Sequence, residues 1–294
     1  MMRRRARFSD QTFGLLLLSP AALLVLGIAV YPILRVFWLS FFAQNLGTAL
    51  QPRLIGVGNY IRLVNDGHFW QSIRTTLLFT VVAVVFELLL GLAFALLLNA
   101  RFRGRGLARA AALVPWALPT AVLALAWTWI FNDQFGVFND LLARLGLIAR
   151  PIAWLGGGHT ALAAIVFADV WKTAPFIMII LLAGLQNIPE ELYEAAAIDG
   201  ARRWKTFILV TLPMLTPAII LALIFRAIHS FGIFDLIFVM TGGGPGGATE
   251  TVGIYTYNTY MRYLDFGYGS AMIVVSFLIL AALIGLVYWP LSRT

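Results

Sequence analysis

Long apolar runs alternate with short polar intervals along this chain. Six runs stand out, at 13–42, 73–100, 107–131, 160–185, 213–240 and 266–291. Each is as long as the roughly 20 residues a helix needs to cross about 30 Å of hydrocarbon, with room for tilt. Backbone amides inside lipid must be satisfied within the protein, and the alternation of a membrane barrel strand is absent, so all six runs predict helices. The expected fold is an all-α membrane protein with six transmembrane helices. Residues 1–72 hold the N-terminus, the first span and the first outer loop, and 73–291 hold a five-helix core.

Composition sharpens this picture. Of 294 residues, 61% are hydrophobic and 12% charged, against about 25% charged in soluble domains. Mean hydropathy is +0.89. A secreted enzyme, a soluble binding module and a disordered tail are excluded. With no Cys, so are disulfide scaffolds, Cys-ligated zinc and thiol nucleophiles.

The net charge of +8 reflects topology. With the N-terminus inside, the inner segments hold twelve basic residues: Arg3, Arg4, Arg5, Arg7, Arg101, Arg103, Arg105, Arg109, Arg202, Arg203, Lys205 and Arg293. The longer outer segments hold six: Arg53, Arg62, Arg74, Arg144, Arg150 and Arg262. The positive-inside rule then puts both termini in the cytoplasm, and no nucleic-acid partner is needed to explain the charge. A cleaved signal peptide is the alternative reading of the N-terminus. The first apolar run is too long for one, and Pro32 and Arg35 lie near its far end, which favours an uncleaved span.

Much enzyme chemistry is missing. Neither lysine, Lys172 or Lys205, follows a Gly, so there is no GxxxxGK[ST] phosphate loop. The glycine run from Thr241 lacks a lysine and reads as a flexible exit from the fifth span. His68, His159 and His229 are scattered, with no HExxH or carboxylate–His cluster to hold a metal.

The informative interval lies between the fourth and fifth runs, at about 187–213. Asn187 is placed to cap a helix, with Pro189, Glu190 and Glu191 in its first turn, where acidic groups meet the positive dipole end. Gly200 is a natural stop, and Arg202, Arg203 and Lys205 open a second amphipathic stretch. A helix resting on lipid is one reading. Its acidity is a poor match for anionic headgroups and a better one for a protein cleft.

Glu194-Ala195-Ala196, three residues, Gly200, nine residues and Val210-Thr211-Leu212-Pro213 resemble the EAA loop of importer-type ABC permeases, EAA-x3-G-x9-I-x-L-P. Val210 stands where the family usually has Ile. Asp199-Gly200-Ala201, Ile188-Pro189-Glu190 and the Thr-Gly-Gly-Gly-Pro at Thr241 fit as well. The nearest type is the carbohydrate permeases, maltose- and trehalose-like. The resemblance implies a type I importer permease with a cytoplasmic coupling helix in which Glu190, Glu194, Ala195, Ala196, Asp199, Gly200 and Ala201 meet an ATPase. It implies a second homologous permease, two copies of a cytosolic ABC ATPase, an extracellular solute-binding protein, a sugar substrate and surrounding membrane lipid in a bacterial inner membrane. No cofactor is expected in this chain; ATP and Mg belong to the partner ATPase.

Ionisable groups inside spans mark function. Asp169 and Lys172 share one helix face. Arg226, His229, Ser230 and Ile233 follow the i, i+3, i+4, i+7 stripe of another. Counting in from the ends of their runs at 1.5 Å per residue puts Asp169 about 14 Å deep and Arg226 about 20 Å deep, both in the middle third of the bilayer. Two polar faces at one depth can line one cavity; alternatively, Asp169 and Lys172 pair with each other and stitch helices. The family resemblance carries sugar contact onto Asp169, Trp171, Lys172, Thr173 and Phe176, and onto Arg226, His229, Ser230 and Ile233. The charges at Asp169, Lys172 and Arg226 depart from the maltose permease and are more similar to trehalose-type relatives. Glu87 is a weaker candidate, with buried packing as its other reading. Two rivals remain: a permease for another solute, such as glycerol phosphate or a peptide, and an ion-coupled carrier using Asp169 and Glu87.

Overall fold

The computed structural model describes residues 10–48 and 51–291. Arg3, Arg4, Arg5, Arg7 and Arg293, which enter the topology argument, lie outside them. Helix α1 (Asp10–Val25), a π turn (Leu26–Val30) and α2 (Tyr31–Leu39) make the first apolar rod. A two-residue antiparallel ladder follows, β1 (Phe42–Ala43) on β2 (Arg53–Leu54), then α3 (Gly58–Val64). The core begins with α4 (Gly67–Asn99), α5 (Arg105–Ala117), α6 (Thr120–Ile130) and α7 (Val137–Arg144). It continues through α8 (Gly158–Gln186), α9 (Glu190–Ile198), α10 (Arg203–Thr206), a π turn (Phe207–Thr211) and α11 (Leu212–Phe231). Helices α12 (Asp235–Met240), α13 (Val252–Met261) and α14 (Phe266–Leu291) complete it.

Both π turns precede a proline. Pro32 and Pro213 lack the N–H that would bond four residues back, to Ile28 and Leu209, and their rings crowd those carbonyls. Widening the preceding turn relieves the clash without ending the helix. Arg203–Phe231 therefore continues through Pro213 as one apolar span.

Two of the expected spans are corrected. The third, 107–131, is not one rod: α5 and α6 meet at 89°. Leu118 is extended (ψ 140°), as a residue before proline prefers, and Pro119 opens α6. Among the described residues, five helices are long and apolar enough to cross a membrane, and six if the bent pair counts as one span. The fifth span ends at Phe231, not Met240. Gly232 turns the chain, and α12 carries the remainder separately. The glycine run beyond it is not slack. Thr249 Oγ1 donates to Gly244 O (2.7 Å) and lies 2.7 Å from Thr241 Oγ1.

The chain divides into two compact units. One holds 1–66 and 257–275. In it, Asn59 Nδ2 donates to Ser40 O (2.9 Å) and Phe42 O (2.8 Å), fixing the entry to the ladder. Arg62 donates to Asp265 (2.8 Å), and its guanidinium carbon sits 3.9 Å from the centre of the Tyr268 ring. The other unit, 67–256 with 276–294, is built on α4 against α8. Phe79, Trp127, Phe131, Ile165 and Ile237 fill one end, and Ala95, Ile177, Leu181, Leu215 and Ala222 fill the other. Lipid offers no hydrophobic drive for helices to associate, so close approach through small residues matters. A Cβ on Gly91 would lie 2.6 Å from Ile177 Cγ2.

Candidate functional site

Each of the three central helices carries an ionisable residue inside its apolar run: Glu87 on α4, Asp169 on α8 and Arg226 on α11, the last five residues before the helix ends at Phe231. Isolated charges at that depth are costly, and pairing with further hydrogen bonds is what makes them tolerable. The three side chains meet. Arg226 Nε donates to Glu87 Oε2 (2.5 Å), and its Nη2 to Glu87 Oε1 (2.7 Å), Asp169 Oδ2 (3.0 Å) and Ser230 Oγ (2.8 Å). Thr173 Oγ1 lies 2.6 Å from both Glu87 Oε1 and the carbonyl oxygen of Asp169. One hydroxyl proton serves those two acceptors, so the bond is shared. Exposure is 0% for Glu87 and 6% for both Asp169 and Arg226. The equal depths read for Asp169 and Arg226 thus correspond to direct contact. Asp169 does not ion-pair with Lys172: its partner is Arg226.

Beside this cluster opens a cavity of about 250 Å³. Asp169, Lys172, Thr173, Arg226, His229 and Ser230 border it, as do Ile233 and Asp235. Ile233 arrives after the Gly232 turn, so the helical stripe itself stops at Ser230. The broken third span adds Trp116 and Thr120 from either side of its bend. Arg226 Nη1 and the Lys172 ammonium donate to no described residue. His229 Nδ1 lies 2.9 Å from Phe225 O. A carbonyl only accepts, so Nδ1 carries a proton, and in the neutral ring Nε2 is an acceptor. The cavity thus offers donors and acceptors side by side. Its two cations face three carboxylates, counting Glu87 behind the wall, so there is no excess of positive charge.

The aromatic candidates stand elsewhere. Trp171, 42% exposed, meets Trp127 edge-on and borders a separate apolar groove with Leu78, Phe86 and Phe167. Phe176 stacks on Trp116, with centroids 5.8 Å apart and planes 22° apart, and so backs the ring that borders the cavity. No motif marks Trp116; its position just before Leu118-Pro119 is the signal in the sequence. The role of Glu87 is not legible there, because a lone acid in an apolar helix does not announce its partners.

The loop after α8 departs from expectation at its start. Asn187 closes α8, and α9 begins from Pro189 with no side-chain cap. Its end matches expectation. Gly200 has φ +70°. Gly200 N donates to Ala197 O (3.0 Å) and Ala201 N to Ala196 O (2.9 Å), the paired bonds of a Schellman stop. Glu190, Glu194, Ala195, Asp199 and Gly200 are exposed, and Ala196 and Ala201 half-buried. Tyr193 ties the helix back to α11's approach, its hydroxyl 3.3 Å from Thr211 Oγ1. The result is a firmly ended helix with one open face.

The sequence model of binding-protein-dependent transport system inner membrane components matches residues 87–292. The trehalose/maltose transport system permease protein of Thermococcus litoralis is 42% identical, covering 98% of this chain and 96% of the relative. The sulfoquinovosyl glycerol transport system permease protein of Agrobacterium fabrum is also 42% identical, over 97% and 92%. The trehalose transport system permease protein of Mycobacterium tuberculosis is 37% identical, over 94% and 87%. A crystal structure of a bacterial ABC transporter that imports the acidic polysaccharide alginate contains a chain of the same fold, with TM-score 0.82 at 21% identity, covering 97% of this chain and 96% of that one.

Proposed function

This chain belongs to the family of binding-protein-dependent transport system inner membrane components, and from that premise we propose that it forms half of the translocation pathway for a sugar, of disaccharide or oligosaccharide size, such as trehalose or maltose. It is a multi-pass membrane permease of the ABC class and not itself an enzyme. In this reading a second homologous permease supplies the other half. Two copies of a cytosolic ATPase, holding ATP and Mg, seat the open face of α9 through Glu190, Glu194 and their neighbours. An extracellular solute-binding protein delivers the sugar. The core over 73–291 sits in a bacterial inner membrane with both termini cytoplasmic.

The carrying observation is the cavity beside the buried cluster, with unspent donors on Arg226 and Lys172, acceptors on Asp169 and His229, and no net positive charge. Sugar hydroxyls both donate and accept, so such a wall suits them. Glycerol phosphate would require a surplus of cations. Asp169, Lys172, Thr173, Arg226, His229, Ser230 and Ile233 are proposed to face the solute. Trp171 and Phe176 act at one remove, Phe176 through Trp116.

The test is uptake into proteoliposomes holding this chain with the partners encoded beside it. Labelled trehalose, maltose and glycerol phosphate are compared, with and without the ATPase. ATP-dependent uptake of a neutral sugar is expected. Uptake without the ATPase would instead establish an ion-coupled carrier, and preference for glycerol phosphate would overturn the sugar reading. An acidic sugar is the second reading: the cavity as a whole has no excess of positive charge, but the unpaired ammonium of Lys172 offers a local partner for one weakly charged group among many hydroxyls. Lys172→Gln would abolish uptake of an acidic sugar and leave that of a neutral one within a few-fold.

A further inference from the structure

The loop between α4 and α5 and the start of α5 carry Arg101, Arg103, Arg105 and Arg109. The positive-inside rule accounts for arginines on this side of the protein. It does not require them to converge, yet they do. A cavity of about 680 Å³ is bordered by Arg101, Arg105 and Arg109 on one side and by Gln186, Tyr193 and Glu194 on the other. A second, of about 460 Å³, opens among Arg101, Phe102, Arg103 and Arg105.

The positive charge there is not balanced. Arg101 ion-pairs with Glu190, and both side chains are exposed. Arg109 Nη2 donates to Leu98 O (2.9 Å), while its Nε is buried with no hydrogen-bond partner. Arg103 and Arg105 make no ion pair among the described residues. Four guanidiniums therefore meet two carboxylates, Glu190 and Glu194. Guanidinium forks match phosphate oxygens in pairs.

We propose that these two cavities, which share Arg101 and Arg105, form a binding site for a phosphate group, supplied by the headgroup of an anionic phospholipid or by free phosphate. Basic pockets between helices at the cytoplasmic surface are a known way to hold such headgroups. Phe102 and Leu107 stand exposed beside the arginines at 46% and 78%, where acyl chains would lie. A phosphate seated here competes with Glu190 for Arg101, which ties this loop to α9. The inference uses the membrane setting of the family and is independent of which solute is carried.

The experiment uses the full chain, purified in detergent and exposed to equal amounts of phosphatidylglycerol and phosphatidylcholine, with retained lipid counted by native mass spectrometry. Wild type is expected to retain phosphatidylglycerol selectively. Arg105→Gln/Arg109→Gln should weaken that retention by about thirty-fold, from the usual contribution of each basic residue near an anionic surface. Arg202→Gln/Arg203→Gln removes the same charge outside the cavities and should retain lipid as wild type does. Inorganic phosphate distinguishes the sources. No displacement by it assigns the site to lipid. Wild-type binding of phosphate alone, lost in Arg105→Gln/Arg109→Gln, assigns it to the free ion. The proposal fails if wild type shows no preference for phosphatidylglycerol and binds no phosphate. It fails equally if both double variants lose lipid alike, which would indicate only a general surface attraction.

Discussion

Glu87→Leu is the most demanding test of the buried cluster. The substitution removes the acceptor of two charge-assisted bonds from Arg226, at 2.5 and 2.7 Å, and the carboxylate 2.6 Å from the Thr173 hydroxyl. Arg226 stays 6% exposed and keeps a single carboxylate partner, Asp169, at 3.0 Å. Breaking one side of a buried pair costs about 3–5 kcal/mol. Because Asp169 remains, the lower figure applies, about 3 kcal/mol. Folded proteins are stable by only about 5–15 kcal/mol, so the change is large. At roughly 2–4 °C per kcal/mol, the thermal midpoint of the purified chain in detergent should fall by about 6–12 °C, read from tryptophan fluorescence. Replacing the whole cluster, Glu87→Leu/Asp169→Asn/Arg226→Met, leaves none of the three buried charges without its partner and should recover most of that loss. Sugar uptake should stay abolished. The reasoning is refuted if Glu87→Leu changes stability by less than about 0.5 kcal/mol, the range of an ordinary surface substitution, or if the triple variant is no more stable than the single one.

Gly200→Val forces a β-branched residue to φ +70°, at a cost of roughly 1–3 kcal/mol. The space around that position is open, so the complex should assemble while ATPase stimulation by loaded binding protein is lost; normal stimulation in proteoliposomes would detach α9 from coupling. Gly91→Ala places its Cβ 2.6 Å from Ile177 Cγ2, 2.8 Å from Ile177 Cβ and 3.1 Å from Ala174 O and should destabilise by about 1–3 kcal/mol. The same midpoint assay decides, and an unchanged midpoint would count against the contact. The isolated chain should hydrolyse no ATP, since it has no phosphate loop; turnover that survives removal of contaminating ATPases would contradict this.

Helix positions were legible because lipid makes the apolar run itself the signal. Interruptions were less so. The run through 107–131 is apolar across Leu118-Pro119, and hydropathy does not register an 89° bend. The prolines that widen turns at Leu26–Val30 and Phe207–Thr211 look, in sequence, the same as the one that breaks a helix. Asp169 and Arg226 could be placed at one depth by counting residues. Their partner Glu87 could not, because its role depends on a third helix that the spacing does not locate. The stop at Gly200 was readable because a glycine after small helical residues has few other uses, whereas Asn187 was assigned to the wrong helix because a capping side chain serves either end of a short gap.

The bend in the third span also affects how the cavity can be studied. Thr120 borders the cavity at the first turn of α6, where the amides of Thr120, Ala121 and Val122 have no carbonyl four residues back within the helix. Hydrogen-bonding capacity of this kind belongs to the main chain. Alanine scanning leaves it untouched, and drift in the side chains over evolutionary time cannot erase it. If the solute sits in the proposed cavity, a cavity edged by such a break keeps main-chain donors for hydroxyls while the residues around it diverge from one sugar's shape to another's.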